Sequence, residues 1–169
     1  MSDDNGKALK AVEAAPQITS MRAKLMLEGD LTKYYNAVSM SIASSIPPEF
    51  DTPMTVTNIM AAIMSGALQC WALIGKAEGE ESPRFIGTAT TQIVKDSWLN
   101  KKSLLIYTMQ SYQHVDITAW KDAFSQTKKF ARENGCTSIN VVTNNNPRTA
   151  MIAEAMGMSP AGAYTMEVR

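Results

Sequence analysis

Polar and apolar positions alternate at two periods along this chain, and each change of period marks an element. Leu31, Tyr34, Tyr35, Val38 and Ile42 recur at three- and four-residue spacing, which predicts a helix from Leu31 to Ser44 with Asp30 as its cap. Pro47, Pro48 and Pro53 in IPPEFDTP cannot lie inside a helix, so the pattern breaks there. Thr55 is expected to cap a second helix, VTNIMAAIMS, with Ile59, Met60 and Ile63 as its stripe and Gly66 as its stop. LQCWALIGK and FIGTATTQIVKD flank the polar tract AEGEESPR and predict an antiparallel hairpin. After a turn at DSWLNKK, the nearly unbroken apolar run of SLLIYTMQSY predicts a central strand covered on both faces.

The period then returns to that of a helix, from about Thr118 to Asn134, with Asp116 as a candidate cap and Gly135 as the stop. Trp120, Ala123, Phe124, Thr127, Phe130 and Ala131 form its buried stripe, while Lys121, Asp122, Lys128, Lys129 and Glu133 face water. CTSINVVTN reads as a strand parallel to SLLIYTMQSY, because a helix connects the two. NPRTAMIAEAMG is a helix with Asn146 at its cap, Pro147 at its first position and Gly157 at its end. AYTMEVR is a final strand. Residues 1–18 are polar, Ala-rich and interrupted by Pro16, and are expected to form a flexible arm ahead of one domain at 19–169.

Charge narrows the function classes. Lys plus Arg is 16 and Asp plus Glu is 16, so the chain has no excess of cations with which to bind nucleic acid. No apolar run reaches the roughly 18 residues of a membrane span, and the polar start is not that of a secretory signal. Cys70 and Cys136 are too few for a disulfide framework and lack the neighbours of a zinc site, so they read as reduced, buried residues and no metal site is expected. The 12 methionines read mostly as core, with an adaptable interface as the second reading.

The order helix, helix, hairpin, central strand, helix, strand, helix, strand resembles the GNAT superfamily of N-acetyltransferases. FARENGCTSINVVTNNNPRTAMIAEAMGM is similar to that family's second half, and the resemblance covers about residues 30–169. It implies an α/β fold with a mixed sheet: antiparallel N-terminal strands, a central parallel strand pair and helices on both faces. In that family the turn after the central strand carries (Q/R)-x-x-G-x-(G/A), whose glycines let the backbone approach the pyrophosphate of acetyl-CoA. A register starting at Gln110 puts Gln113 and Val115 at the glycine positions, and one starting at Gln113 puts Asp116 and Thr118 there. In the last helix Asn146 matches the family's asparagine. Thr149 takes the place of a small alanine, Met158 that of a phenylalanine, and Ala153 that of the tyrosine that often serves as general acid. An alanine has no proton to give.

The expectation is therefore no catalytic residue and no cofactor. If acetyl-CoA does bind, the resemblance assigns it to Gln113, His114, Val115, Asp116 and Asn146. IPPEFDTPMTVTNIMAAIMSGALQCWALIG further resembles the short GNAT-like proteins of tailed bacteriophages. That implies a virion structural or assembly component, in the virion or the host cytoplasm, whose partners are other assembly proteins or further copies of itself. The alternative is an acetyl-CoA-dependent N-acetyltransferase acting on an unknown amine, with Glu154, Asp116 or His114 as its base. A third class is a regulatory binder of CoA or of a host protein. His114 is the only histidine and reads more simply as a solvated loop residue, as Asp116 does as a cap. Tyr107 is expected in the core and Tyr112 at a rim. Trp71 and Trp120 are expected in the core and Trp98 exposed as a contact residue.

Overall fold

Among the described residues, strand alternation and helical stripes meet in one five-stranded sheet with helices on both faces. The computed structural model describes residues 16–46, 54–141 and 147–160. Residues 1–15, most of IPPEFDTP, Asn146 and the expected strand AYTMEVR lie outside these.

The described chain opens with a strand that the sequence reading did not anticipate, β1 (Ile18–Leu25). It begins at the last residue assigned to the arm. Met21, Ala23 and Leu25 alternate with the exposed Ser20, Arg22 and Lys24, the mark of a half-buried strand. Where one helix was expected there are two, α1 (Glu28–Lys33) and α2 (Tyr35–Ser45), separated at Tyr34, whose φ of −109° and ψ of 20° break the helical path. Asp30 therefore sits inside α1, and its carboxylate reaches back to the Leu27 N–H at 3.5 Å. The third helix, α3 (Thr55–Met64), includes Thr55 as its first residue, and Met54 takes the flanking position. Gly66 follows it with φ 78°, as a stop glycine should.

The hairpin of β2 (Gln69–Ala77) and β3 (Arg84–Asp96), the central β4 (Lys101–Ser111), α4 (Ile117–Glu133), β5 (Ser138–Val141) and α5 (Pro147–Ala155) follow as expected, with small shifts of boundary. The sheet order is β1-β2-β3-β4-β5. The first four strands are antiparallel, and β4 and β5 are parallel. Pro147 does occupy the first position of α5, and the Asp116 carboxylate accepts from the Thr118 N–H at 3.2 Å to cap α4. Cys136 falls in the α4–β5 connection, half-buried, and not in a strand.

Two apolar layers hold the sheet. On one face Met60, Ile59, Ile63, Val38 and Ile42 pack on Cys70 and Ala72. On the other, Ala119, Trp120, Ala123 and Ile152 pack on Ile18, Met21, Leu73 and Ile86. Trp71 and Trp120 are buried as expected, and Trp98 is 97% exposed. No helix among the described residues is long and apolar enough to cross a membrane.

Candidate functional site

The sequence points to the end of β4 and the turn after it, and a bulge in β4 sets the geometry there. Thr90 of β3 pairs with Thr108, but Thr91 pairs with Ile106, so Tyr107 is an extra residue. This corrects the expectation that Tyr107 is core: the bulge throws it out of the pleat and leaves it 51% exposed. Around the bulge the polar side chains satisfy one another. The Thr90 and Thr108 hydroxyls lie 2.7 Å apart, and the Thr108 N–H donates to Thr90 Oγ1 at 3.1 Å. Thr88, opposite Gln110 in the register, donates to Ser41 Oγ of α2 at 2.7 Å. Hydroxyls bonded to one another in this way hold the bulge in shape; they do not act as bases at neutral pH.

Among the described residues β5, which ends at Val141, pairs with β4 from Ser103 to Ile106. β4 then runs five residues further, from Tyr107 to Ser111. The resemblance would seat an acyl thioester beside this end of β4. The phosphate end of such a ligand would have to lie on the next turn, Tyr112 to Asp116, where the amides of Tyr112, Gln113 and Asp116 already have protein acceptors. Tyr112 N–H donates to Ile86 O at 2.8 Å, and Asp116 N–H to Ile18 O at 2.9 Å. Gln113 N–H is directed at Ser111 Oγ at 3.3 Å, and that hydroxyl in turn donates to Gln113 O at 2.9 Å. Ile18 N–H closes the clamp by donating to His114 O at 2.8 Å. Ile18 thus bridges Val115 as a parallel partner, although β1 and β4 are separated by two strands in the sheet. The sheet curls until its first strand touches the turn after its fourth.

Of the five residues assigned to cofactor binding, four fall in this turn with distinct roles. Val115 is buried in the core, Gln113 is half-buried, His114 is exposed and Asp116 caps α4. Asn146 lies outside the described residues. Arg148 of α5 brings Nη2 to 3.5 Å from His114 Nδ1, which joins the first turn of α5 to this turn. Glu154 is six residues further along α5, roughly 9 Å at 1.5 Å per residue, and lines a depression with Lys128 and Arg132. It is not brought to His114 or Asp116. Among the described residues no three His, Cys, Asp or Glu side chains gather as a metal site would require.

The turn does not suit a pyrophosphate. The backbone donors of Tyr112, Gln113 and Asp116 bond to protein acceptors, and the Asp116 carboxylate takes up the end of α4 that would otherwise attract an anion. Sequence reasoning missed Ile18 and Ser111, the residues that complete the closure. The alternation of β1 was the one signal for Ile18, and Ser111 carried none.

No family model matches the sequence, and no curated protein does. Solved structures do match in shape. A probable acetyltransferase superposes with a TM-score of 0.64 at 13% identity, over 88% of this chain and 98% of that one. The fold is that of the GNAT acetyltransferases. The ribosomal-protein-alanine N-acetyltransferase of Brucella melitensis biovar Abortus 2308 gives 0.61 at 10% identity, over 89% of this chain and 99% of that one. A GNAT family acetyltransferase of Staphylococcus aureus subsp. aureus gives 0.57 at 14% identity, over 88% and 99%. The GNAT fold accounts for the parallel β4–β5 pair and for the helix that follows the central strand. At these identities it carries no activity with it, so the chemistry rests on the site.

Proposed function

We propose that this chain uses the GNAT fold as a scaffold for protein contacts and does not transfer an acyl group. One observation carries the reading: the β4–α4 turn is closed from within, by Ile18 on its backbone and by the Asp116 carboxylate on α4. A ligand phosphate that drew on the Asp116 amide would have to displace its bond to Ile18 O and sit beside a carboxylate. The absence of glycine from the turn and the presence of Ala153 where the family's acid would stand agree with this. The virion setting, with other assembly proteins as partners, belongs to the same proposal and rests on the sequence resemblance.

One observation favours a second reading, an acetyl-CoA-dependent N-acetyltransferase. The described residues of β5 pair with β4 up to Ile106, and in a chain of this fold an acyl thioester would lie beside Tyr107 to Ser111. The test is thiol release from acetyl-CoA in the presence of a panel of primary amines and amino-terminal peptides. The scaffold reading expects no release above the uncatalysed background. Saturable release that is lost in a Tyr107→Ala variant would install the second reading in its place.

A further inference from the structure

We propose that the chain associates head to tail with further copies of itself, the β3–β4 tip of one copy seating on the β2–β3 tip of the next. This goes beyond the scaffold reading and does not depend on whether the chain acylates anything.

The two tips lie at opposite ends of β3, which is 13 residues long. At about 3.3 Å per residue they stand some 40 Å apart. That is several times the Debye length of about 8 Å at physiological salt, so each tip acts as a separate pole.

The β3–β4 tip is Lys95-Asp96-Ser97-Trp98-Leu99-Asn100-Lys101-Lys102. Its three lysines and one aspartate leave two net positive charges. Its shape is fixed: Asp96 Oδ1 accepts from the N–H groups of both Trp98 and Leu99 at 2.9 Å, and Asn100 takes the left-handed φ of 49° that closes the turn. On this rigid tip Trp98 is 97% exposed and Leu99 65%. A tryptophan held outward on an ordered turn, with no packing against its own fold, is the side chain that most often anchors an interface.

The β2–β3 tip is the complement. Counted from Lys76 to Arg84, Glu78, Glu80 and Glu81 against Lys76 and Arg84 leave one net negative charge. Glu80 is occupied internally, bonded to Arg84 and accepting from the Ala77 N–H at 2.9 Å, while Glu78 and Glu81 are exposed. Phe85, the second residue of β3, stands beside them 38% exposed. This end therefore offers an exposed aromatic ring next to carboxylates, which suits a tryptophan flanked by lysines.

Charge also selects the geometry. A two-fold contact between identical tips would set like charges against each other, whereas a contact between unlike tips pairs them. A contact of that kind is heterologous, so it propagates into a ring or an open series. Two loop tips bury little area, below the roughly 1,200 Å² of a standard interface, so the association is weak and is driven by concentration.

Sedimentation equilibrium of the full chain over a wide concentration range tests this. The expected result is a mass that climbs past the dimer with concentration and falls when salt is raised to about 1 M, where the Debye length is about 3 Å. Lys101→Glu with Lys102→Glu should hold the protein monomeric, and so should Glu78→Lys with Glu81→Lys. All four residues are exposed, so thermal unfolding followed by circular dichroism should match the parent. Mixing the two charge-reversed proteins should restore association, and Trp98→Ala should weaken it at every salt concentration. A protein that stays monomeric throughout overturns the proposal. So does a species that stops at the dimer, or an association untouched by either charge reversal.

Discussion

Asp116 N–H donates to Ile18 O at 2.9 Å, and through that bond the first strand of the sheet locks the turn after the fourth. Ile18 is wholly buried, and its side chain packs against Gly75 so closely that a Cβ added there would lie 2.7 Å from Ile18 Cγ2. Ile18→Ala therefore removes core packing and loosens the clamp together. We expect a loss of about 2–5 kcal/mol in urea unfolding, the range for large-to-small core changes. Amide exchange at Asp116 should speed up with it. Asp116→Ala removes only the cap and should cost about 1 kcal/mol.

Gly87 should tolerate no side chain. A Cβ there would collide with the backbone carbonyl of Gln110, and a strand backbone cannot step aside as a flexible side chain can. Gly87→Ala is expected to destabilise by about 1–3 kcal/mol or more through overpacking. Gly79, where a Cβ would meet nothing within 4 Å, has φ 80° and would suffer only from that conformation. Thermal melts of the two alanine variants should rank Gly87→Ala well below Gly79→Ala.

Two buried tryptophans make opposite predictions. Trp71 Nε1 donates to Thr91 Oγ1 at 2.9 Å. Thr91→Val leaves that donor unpaired and should cost about 1–3 kcal/mol. Trp120 Nε1 is buried without an acceptor among the described residues. Trp120→Phe removes an unpaired donor, which offsets part of the lost contact area, so its cost should be clearly smaller than that of Thr91→Val. Denaturant midpoints of the two variants decide it.

The thiols should separate by reactivity. Burial pushes the Cys70 thiol up to about 12 from its ordinary 9.0, while Cys136 is only half-buried. A thiol reagent at mildly alkaline pH should label Cys136 in the folded protein and reach Cys70 only on unfolding. The same shift has a pH consequence. Between 9.0 and about 12 the unfolded chain releases a proton that the folded chain keeps. Stability from this group is thus full below pH 9 and falls as pH rises through that window. Cys70→Ala should flatten that part of the stability profile.

Much of the fold was legible because its signals are local. The stripe of α4, its Asp116 cap and the Gly135 stop need only neighbours in sequence; the structure places the cap and the stop as read and buries Trp120, Ala123, Thr127 and Ala131 of the stripe, with Phe124 and Phe130 half-buried. Trp98 was legible for the same reason, as an apolar residue among turn formers. The division of α1 from α2 at Tyr34 was not, since the apolar spacing runs on unbroken across it. β1 was hidden behind the polar start, where an alternation of Met21, Ala23 and Leu25 with charged residues looks like part of an arm. Tyr107 was misjudged because strict alternation cannot foresee a bulge, which depends on the partner strand. Most of the candidate site follows the same rule. The missing glycines are in the sequence, but the closure of the turn by Ile18 joins residues almost a hundred positions apart and is visible only when the sheet curls.

The central claim is that this turn is closed to phosphate, and calorimetric titration of the full chain with acetyl-CoA, with ADP as control, tests it most directly. The account predicts no saturable heat from either ligand at up to about 1 mM, a Kd weaker than about −4 kcal/mol of binding. Micromolar binding of acetyl-CoA, weakened in an Arg148→Ala or His114→Ala variant, would contradict it and place an acyl thioester in the cleft beside β4.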